Sequence, residues 1–303
     1  MTNHQVDVAA ATAEDLVSDA RDLGVTQAST RMIKDWVEHG LLAPPAFRKF
    51  TQHGSATRVF LPEQRRLFHG IIEAKKRSPL ARVPHHTVVP VNLHIWPTYD
   101  TVITDEQARR GFRTYARSAG VSSASRREAA ARAIVDQFAH PEAPERQRRH
   151  VQALLIDGER TKQPRWNLLG SAMRDLASPW RDDGLPRLDE RVIGLPEMPM
   201  TFDHAVALWM LKLEVTRYLQ TESISPGVLL ATRTEFRRKW TNYQNDRTQL
   251  EARAGASAAM FALPPGREAQ VREHVAAFTT TLGHAVGLAE PIFDRVRESL
   301  RRR

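Results

Sequence analysis

A chain of 303 residues has room for two or three domains, and 41% hydrophobic with 26% charged residues is an ordinary globular balance that argues against global disorder. There is no cysteine, which excludes disulfides, thiolate metal sites and cysteine nucleophiles. The net charge of +9 favours a polyanionic partner, nucleic acid above all, and the lack of a long apolar run or signal-peptide pattern predicts a cytoplasmic, nucleoid-associated protein with no membrane contact.

Residues 1–11 read as a frayed leader. Thr12 then opens a helix with Asp15 three residues on, a capping-box spacing. Leu16, Val17, Ala20 and Leu23 form its apolar stripe, and Gly24 ends it. Ser29 is the N-cap of a second helix, in "TRMIKDWVEHGLL", whose apolar positions Ile33, Trp36 and Val37 match a helical period. Gly40 is its C′ residue, and Pro44 and Pro45 forbid continuation. "AFRKF" and "TRVF" read as two short strands around the turn "QHGS", where Gly54 supplies a positive φ. Pro62 suits the first turn of a third helix that buries Leu67, Phe68, Ile71 and Ile72 and ends in Lys75, Lys76 and Arg77.

This order of helix, turn, helix, hairpin, helix is that of a winged helix-turn-helix. The fold class is therefore mainly α: a winged helix-turn-helix with a small β hairpin over 12–78, a linker or short β segment over 79–103 ("TVVPVNLHIW" being β-rich), and a larger all-helical domain over 104–303. Within that domain, helices are expected near 104–118, 124–139, 144–156, 202–221, 226–253, 264–286 and 289–301, with a Pro/Gly-rich loop region at 178–200.

A helix that reads the major groove buries one face and turns short polar or basic side chains to bases and phosphates. Thr30, Arg31 and Lys34 fall opposite Ile33, Trp36 and Val37. Arg31, in the first turn, is placed to meet a base, and Lys34 a phosphate; Arg48, Lys49 and Arg58 make the hairpin a basic wing. With the capping residue Ser29, the expected DNA-binding set is Ser29, Thr30, Arg31, Lys34, Arg48, Lys49 and Arg58.

"TRMIKDWVEHGLLAPP", followed by "FRKF", "GSATRVF" and "LPEQRRLF", resembles the winged helix-turn-helix head of the MerR family. The positions that carry the resemblance are Arg31, Ile33, Lys34, Trp36, Gly40, Leu41, Leu42 and Arg58. It implies DNA-contacting roles for Arg31, Lys34, Arg48 and Arg58, and it spans residues 12 to about 77. The family's long coiled-coil helix does not follow; prolines at 79, 84, 90 and 97 are expected to break it.

Elsewhere the chemistry is sparse. His85, His86 and His94 lie close together but lack further ligands at metal spacing, and read as strand or surface histidines. The pairs Asp182–Asp183 and Asp189–Glu190 read as solvated loop carboxylates. No nucleophile, base and orienter set can be assembled, so no enzyme, metal or cofactor is expected. Met198, Met200, Phe202, Trp209, Met210, Tyr218, Phe236 and Trp240 serve either an apolar effector pocket or a plain core. The basic runs "ERQRRH", "RTEFRRKW" and "RESLRRR" either extend a DNA footprint or are solvated helix faces.

The expectation is a sequence-specific, bacterial-type transcriptional regulator acting on double-stranded DNA. A homodimer, a protein partner or a small-molecule effector is left to the helical domain. A DNA-organising or mobile-element accessory protein (an excision or partition factor) stands as alternative, as does a protein-interaction module whose helix-turn-helix does not bind DNA.

Overall fold

The computed structural model describes residues 9–49, 55–78, 85–99, 101–120, 124–161, 165–177, 202–253 and 266–301. Among these the chain is mainly helical, with one two-stranded antiparallel sheet. No helix among the described residues is long and apolar enough to cross a membrane. The leader up to residue 8, the hairpin turn with Gly54, the loop region 178–200 with Met198 and Met200, and both carboxylate pairs lie outside the described residues.

The N-terminal elements form as their local chemistry directs. In α1 (Ala13–Asp22) the Thr12 N–H donates to Asp15 Oδ2 at 2.8 Å while Asp15 N–H donates to Thr12 Oγ1 at 3.2 Å, a reciprocal capping box. In α2 (Thr30–Glu38) the Met32 N–H donates to Ser29 Oγ at 3.3 Å. The strands β1 (Ala46–Arg48) and β2 (Thr57–Val59) pair Ala46 with Val59, Phe47 with Arg58 and Arg48 with Thr57. Ala11 bridges to Phe60, so the leader's last residue is held against the hairpin. Pro62 opens α3 (Pro62–Arg77), where a missing N–H costs nothing. Phe68, Ile71 and Ile72 are buried as expected, but Leu67 is half-exposed and Gln64 is buried in its stead.

The next segment corrects the sequence reading. Residues 85–95 are neither linker nor strand but a helix, α4 (His85–Ile95), with Pro90 in its interior. The β-branched residues suggested a strand, yet Val89, Leu93 and Trp96 fall on one helical face and are buried. That burial offsets the single backbone bond that Pro90 removes. α3 ends at Arg77 and α4 runs through Pro90, so the helix break expected at Pro90 does not occur, while Pro79 and Pro84 lie outside the described residues.

The remaining helices are α5 (Asp105–Gly120), α6 (Ala124–Phe138), α7 (Glu145–Thr161), α8 (Trp166–Ala177), α9 (Phe202–Thr221), α10 (Pro226–Arg253), α11 (Arg267–Ala285) and α12 (Ala289–Arg301). Six of the seven helices expected after residue 104 agree within about three residues at either end. The seventh, α7, runs five residues beyond its expected end, and α8 was not anticipated.

The described chain divides into two compact units. One comprises residues up to Ser118 with Tyr218–Lys239 and Pro264–Phe278; the other comprises Ala119–Arg217, Trp240–Leu263 and Thr279–Arg303. In the first unit, Trp96, Phe112, Phe236 and Phe278 form an aromatic core, with Phe112 stacked on Phe278 at 4.9 Å and Phe236 edge-on to Phe278 at 5.3 Å. Phe236 is thus a core residue of that unit. In the second, α7 packs on α6 and α8, and α8 on α12. Gly283 lets α11 approach α9 there: a Cβ on it would lie 2.7 Å from Leu211 and Val215 side chains.

Candidate nucleic-acid interface

The candidate interface is described from α2 outward. Ile33, Trp36 and Val37 are buried, and the Trp36 ring sits 5.2 Å from Phe68 of α3, which seats α2 by one face. A second tie joins α1 to α3. Arg65 grips Asp19 through both carboxylate oxygens at 2.7 Å, and His69 Nε2 lies 2.8 Å from the same group. The Arg65 guanidinium holds the Asp19 carboxyl below the usual carboxylate range; burial opposes this and His69 adds to it. Between the two helices, Arg21 donates to the Ala28 carbonyl, closing the turn.

The C-terminal end of α2 is fastened by three buried carboxamides. Helix ends leave carbonyls that need donors. Asn92 Nδ2 donates to the carbonyls of Gly40 and Leu41 at 3.2 and 3.1 Å, and Gln107 Nε2 donates to Leu41 at 2.9 Å. Gln64 Oε1 accepts from the Ala43 N–H at 2.8 Å, while its Nε2 donates to Val102. Gly40 adopts φ +77°, and a Cβ there would lie 2.3 Å from the Gly111 backbone nitrogen. Glycine is therefore required twice, by conformation and by the closeness of α5.

With one face of α2 buried, the opposite face carries Thr30, Arg31 and Lys34, all exposed. Among the described residues neither Arg31 nor Lys34 has an ion pair or side-chain hydrogen bond, so both charges are available to a partner. Glu38 shares the exposed side and Asp35 is half-buried. Ser29 Oγ is occupied as an acceptor by its cap, leaving the hydroxyl proton to donate.

The hairpin carries exposed Arg48, Lys49 and Arg58. Side chains alternate across a strand. The register therefore puts Arg58 opposite Phe47 on one face and Arg48, paired with Thr57, on the other. Arg58 lies over the Phe47 ring at 5.1 Å, and Phe47 is 66% exposed. This exposed aromatic–guanidinium pair was not anticipated. Its only sequence signal is an aromatic beside arginines in a short strand.

The other sites fare differently. The run "RTEFRRKW" is largely committed within the protein. Arg233 is buried and donates to the carbonyls of Trp96 at 2.6 Å and Tyr99 at 3.2 Å, Arg237 donates to Pro97, and Arg238 and Lys239 pair with Glu235. In "ERQRRH", Arg148 donates to His140 and Arg149 pairs with Glu145. In "RESLRRR", Arg297 pairs with Asp294.

The side chains of His85 and His86 lie outside the described residues, while His94 lies edge-on to His274, ring centroids 4.3 Å apart. Burial lowers the pKa of both, that of His274 to about 3, with His94 contributing. No group of three metal-ligating side chains occurs among the described residues.

Comparison with known protein families, curated proteins and solved structures finds no match for this chain.

Proposed function

We propose that residues 12–77 are a winged helix-turn-helix head similar to that of the MerR family, and that the protein is a sequence-specific DNA-binding transcriptional regulator rather than an enzyme. The observation that carries this reading is the α2 face. Arg31 and Lys34 are exposed and have no ion pair or side-chain hydrogen bond among the described residues, opposite a buried Ile33, Trp36 and Val37, on a helix seated by Trp36 on Phe68. In this reading α2 enters the major groove, Arg31 reads a base edge and Lys34 meets a phosphate. Arg48, Lys49 and Arg58 neutralise backbone phosphates, while Thr30 and Ser29 supply hydroxyl donors near the helix N-terminus, where anions bind well. The overall charge of +9 supports the same partner.

The test is selection of the full-length protein against random-sequence duplex DNA at low and near-physiological salt. A motif retained at the higher salt supports specific readout, and a palindromic motif would indicate a dimer. Enrichment without a motif would favour the DNA-organising alternative, and no retention at either salt would end the DNA reading.

A further inference from the structure

We propose that the groove between α3 and α4 binds a small, neutral, mainly apolar molecule. The groove has a volume of about 680 Å³. That falls within the roughly 300–1,000 Å³ of small-molecule sites. Leu67, Gly70 and Ala74 line it from α3, and Val88, Val91 and Ile95 from α4. Leu67 is half-exposed and Val91 is 42% exposed, so apolar surface faces the gap.

A second observation is Gly70. Glycine in the interior of a helix is disfavoured relative to alanine. Gly70 has no positive φ, and a Cβ built on it would meet nothing within 4 Å. Neither backbone conformation nor packing within the described chain calls for glycine here. The open space beside Gly70 leaves room for an occupant to approach the α3 backbone.

The ligand's charge follows from the lining. Arg66 and Glu63 pair with each other, and the Lys75 ammonium lies over the Trp36 ring at 4.9 Å. The charged groups of the walls are thus engaged within the protein. The other polar groups are the hydroxyls of Ser78, Thr87 and Thr101 and the Asn92 carboxamide, whose nitrogen holds Gly40 and Leu41. Such a lining accepts an uncharged molecule bearing at most a hydroxyl or carbonyl. The site is independent of the DNA-binding reading. It nevertheless shares Asn92 and Lys75 with the packing that holds α2.

The experiment titrates the full-length protein with Nile red, a neutral apolar fluorophore. The expected result is saturable binding at about one per chain, with Kd raised at least tenfold in Gly70→Leu, whose side chain fills the groove while the unfolding midpoint is maintained. Absence of saturable binding, or equal binding by folded Gly70→Leu, would overturn the proposal. Val91→Gln, at an exposed position, is measured alongside. If Gly70→Leu does not fold, undiminished binding by Val91→Gln overturns the proposal and a comparable loss supports it.

Discussion

Arg31 and Arg233 are the same residue on two helices, and the protein uses them in opposite ways. Arg31 stands exposed in the first turn of α2 with no ion pair among the described residues. Arg233 is 6% exposed on α10, its guanidinium spent on the carbonyls of Trp96 and Tyr99 and laid over the Trp96 ring at 5.0 Å. By density of charge the run 233–240 is the stronger candidate for a polyanion. Its surroundings decide otherwise. The turn at 96–99 exposes carbonyls that need donors, and a planar fork of N–H groups satisfies several at once. A basic run therefore locates an interface only when nothing inside the fold claims its donors.

The widest separation between the two arginines is expected in stability. Arg233→Ala leaves two carbonyls without their donor and removes packing on Trp96, so it should cost about 3 kcal/mol in denaturant unfolding. Arg31→Ala should stay within about 0.5 kcal/mol, as a surface substitution away from caps and core. Equal losses from the two would dissolve the contrast.

Acid probes the buried side of the comparison next. Unfolded histidine binds a proton near pH 6.5, whereas His274 in the folded chain does so only at about 3. The unfolded state therefore takes up more protons between those values, and stability falls as pH drops through that window. The slope for this one group is about 1.4 kcal/mol per pH unit. His94, lowered in the same direction, adds to it. His274→Phe should flatten the profile between pH 6 and 4; an unchanged slope would mean the titration lies elsewhere.

On DNA the order of the two arginines reverses. Arg31→Ala should weaken binding to a selected site by roughly 1–3 kcal/mol and relax preference at one base position. A uniform loss on random duplex would reassign Arg31 to a phosphate. The smallest effects belong to the hairpin. Removing Arg48 or Arg58 should reduce the salt slope of binding by about one unit each if both meet phosphates. An unchanged slope on removing either arginine would return that residue to the solvated surface.

The head was legible where its chemistry is local. The Thr12–Asp15 box, the Ser29 cap, the Gly40 stop and the Pro62 start each involve residues within about four positions, and each forms as read. The exposure of Arg31 and Lys34 followed from helical period alone. Phe47 was missed because an aromatic beside arginines in a strand carries no mark of which face it takes until the register with Arg58 is known.

Helix periodicity, caps and proline breaks, all short-range effects, were enough to place nearly every helix from the sequence alone, because each depends on neighbours along the chain. Only the tertiary structure decided that 85–95 is a helix, since the burial of Val89, Leu93 and Trp96 outweighs β propensity and an interior proline. It alone decided which polar groups are committed. Asn92 reaches across 52 residues to Gly40, Gln107 across 66 to Leu41 and Arg233 across 137 to Trp96. A donor so distant in sequence finds its acceptor only when packing has brought the two together and excluded the water that would otherwise serve both.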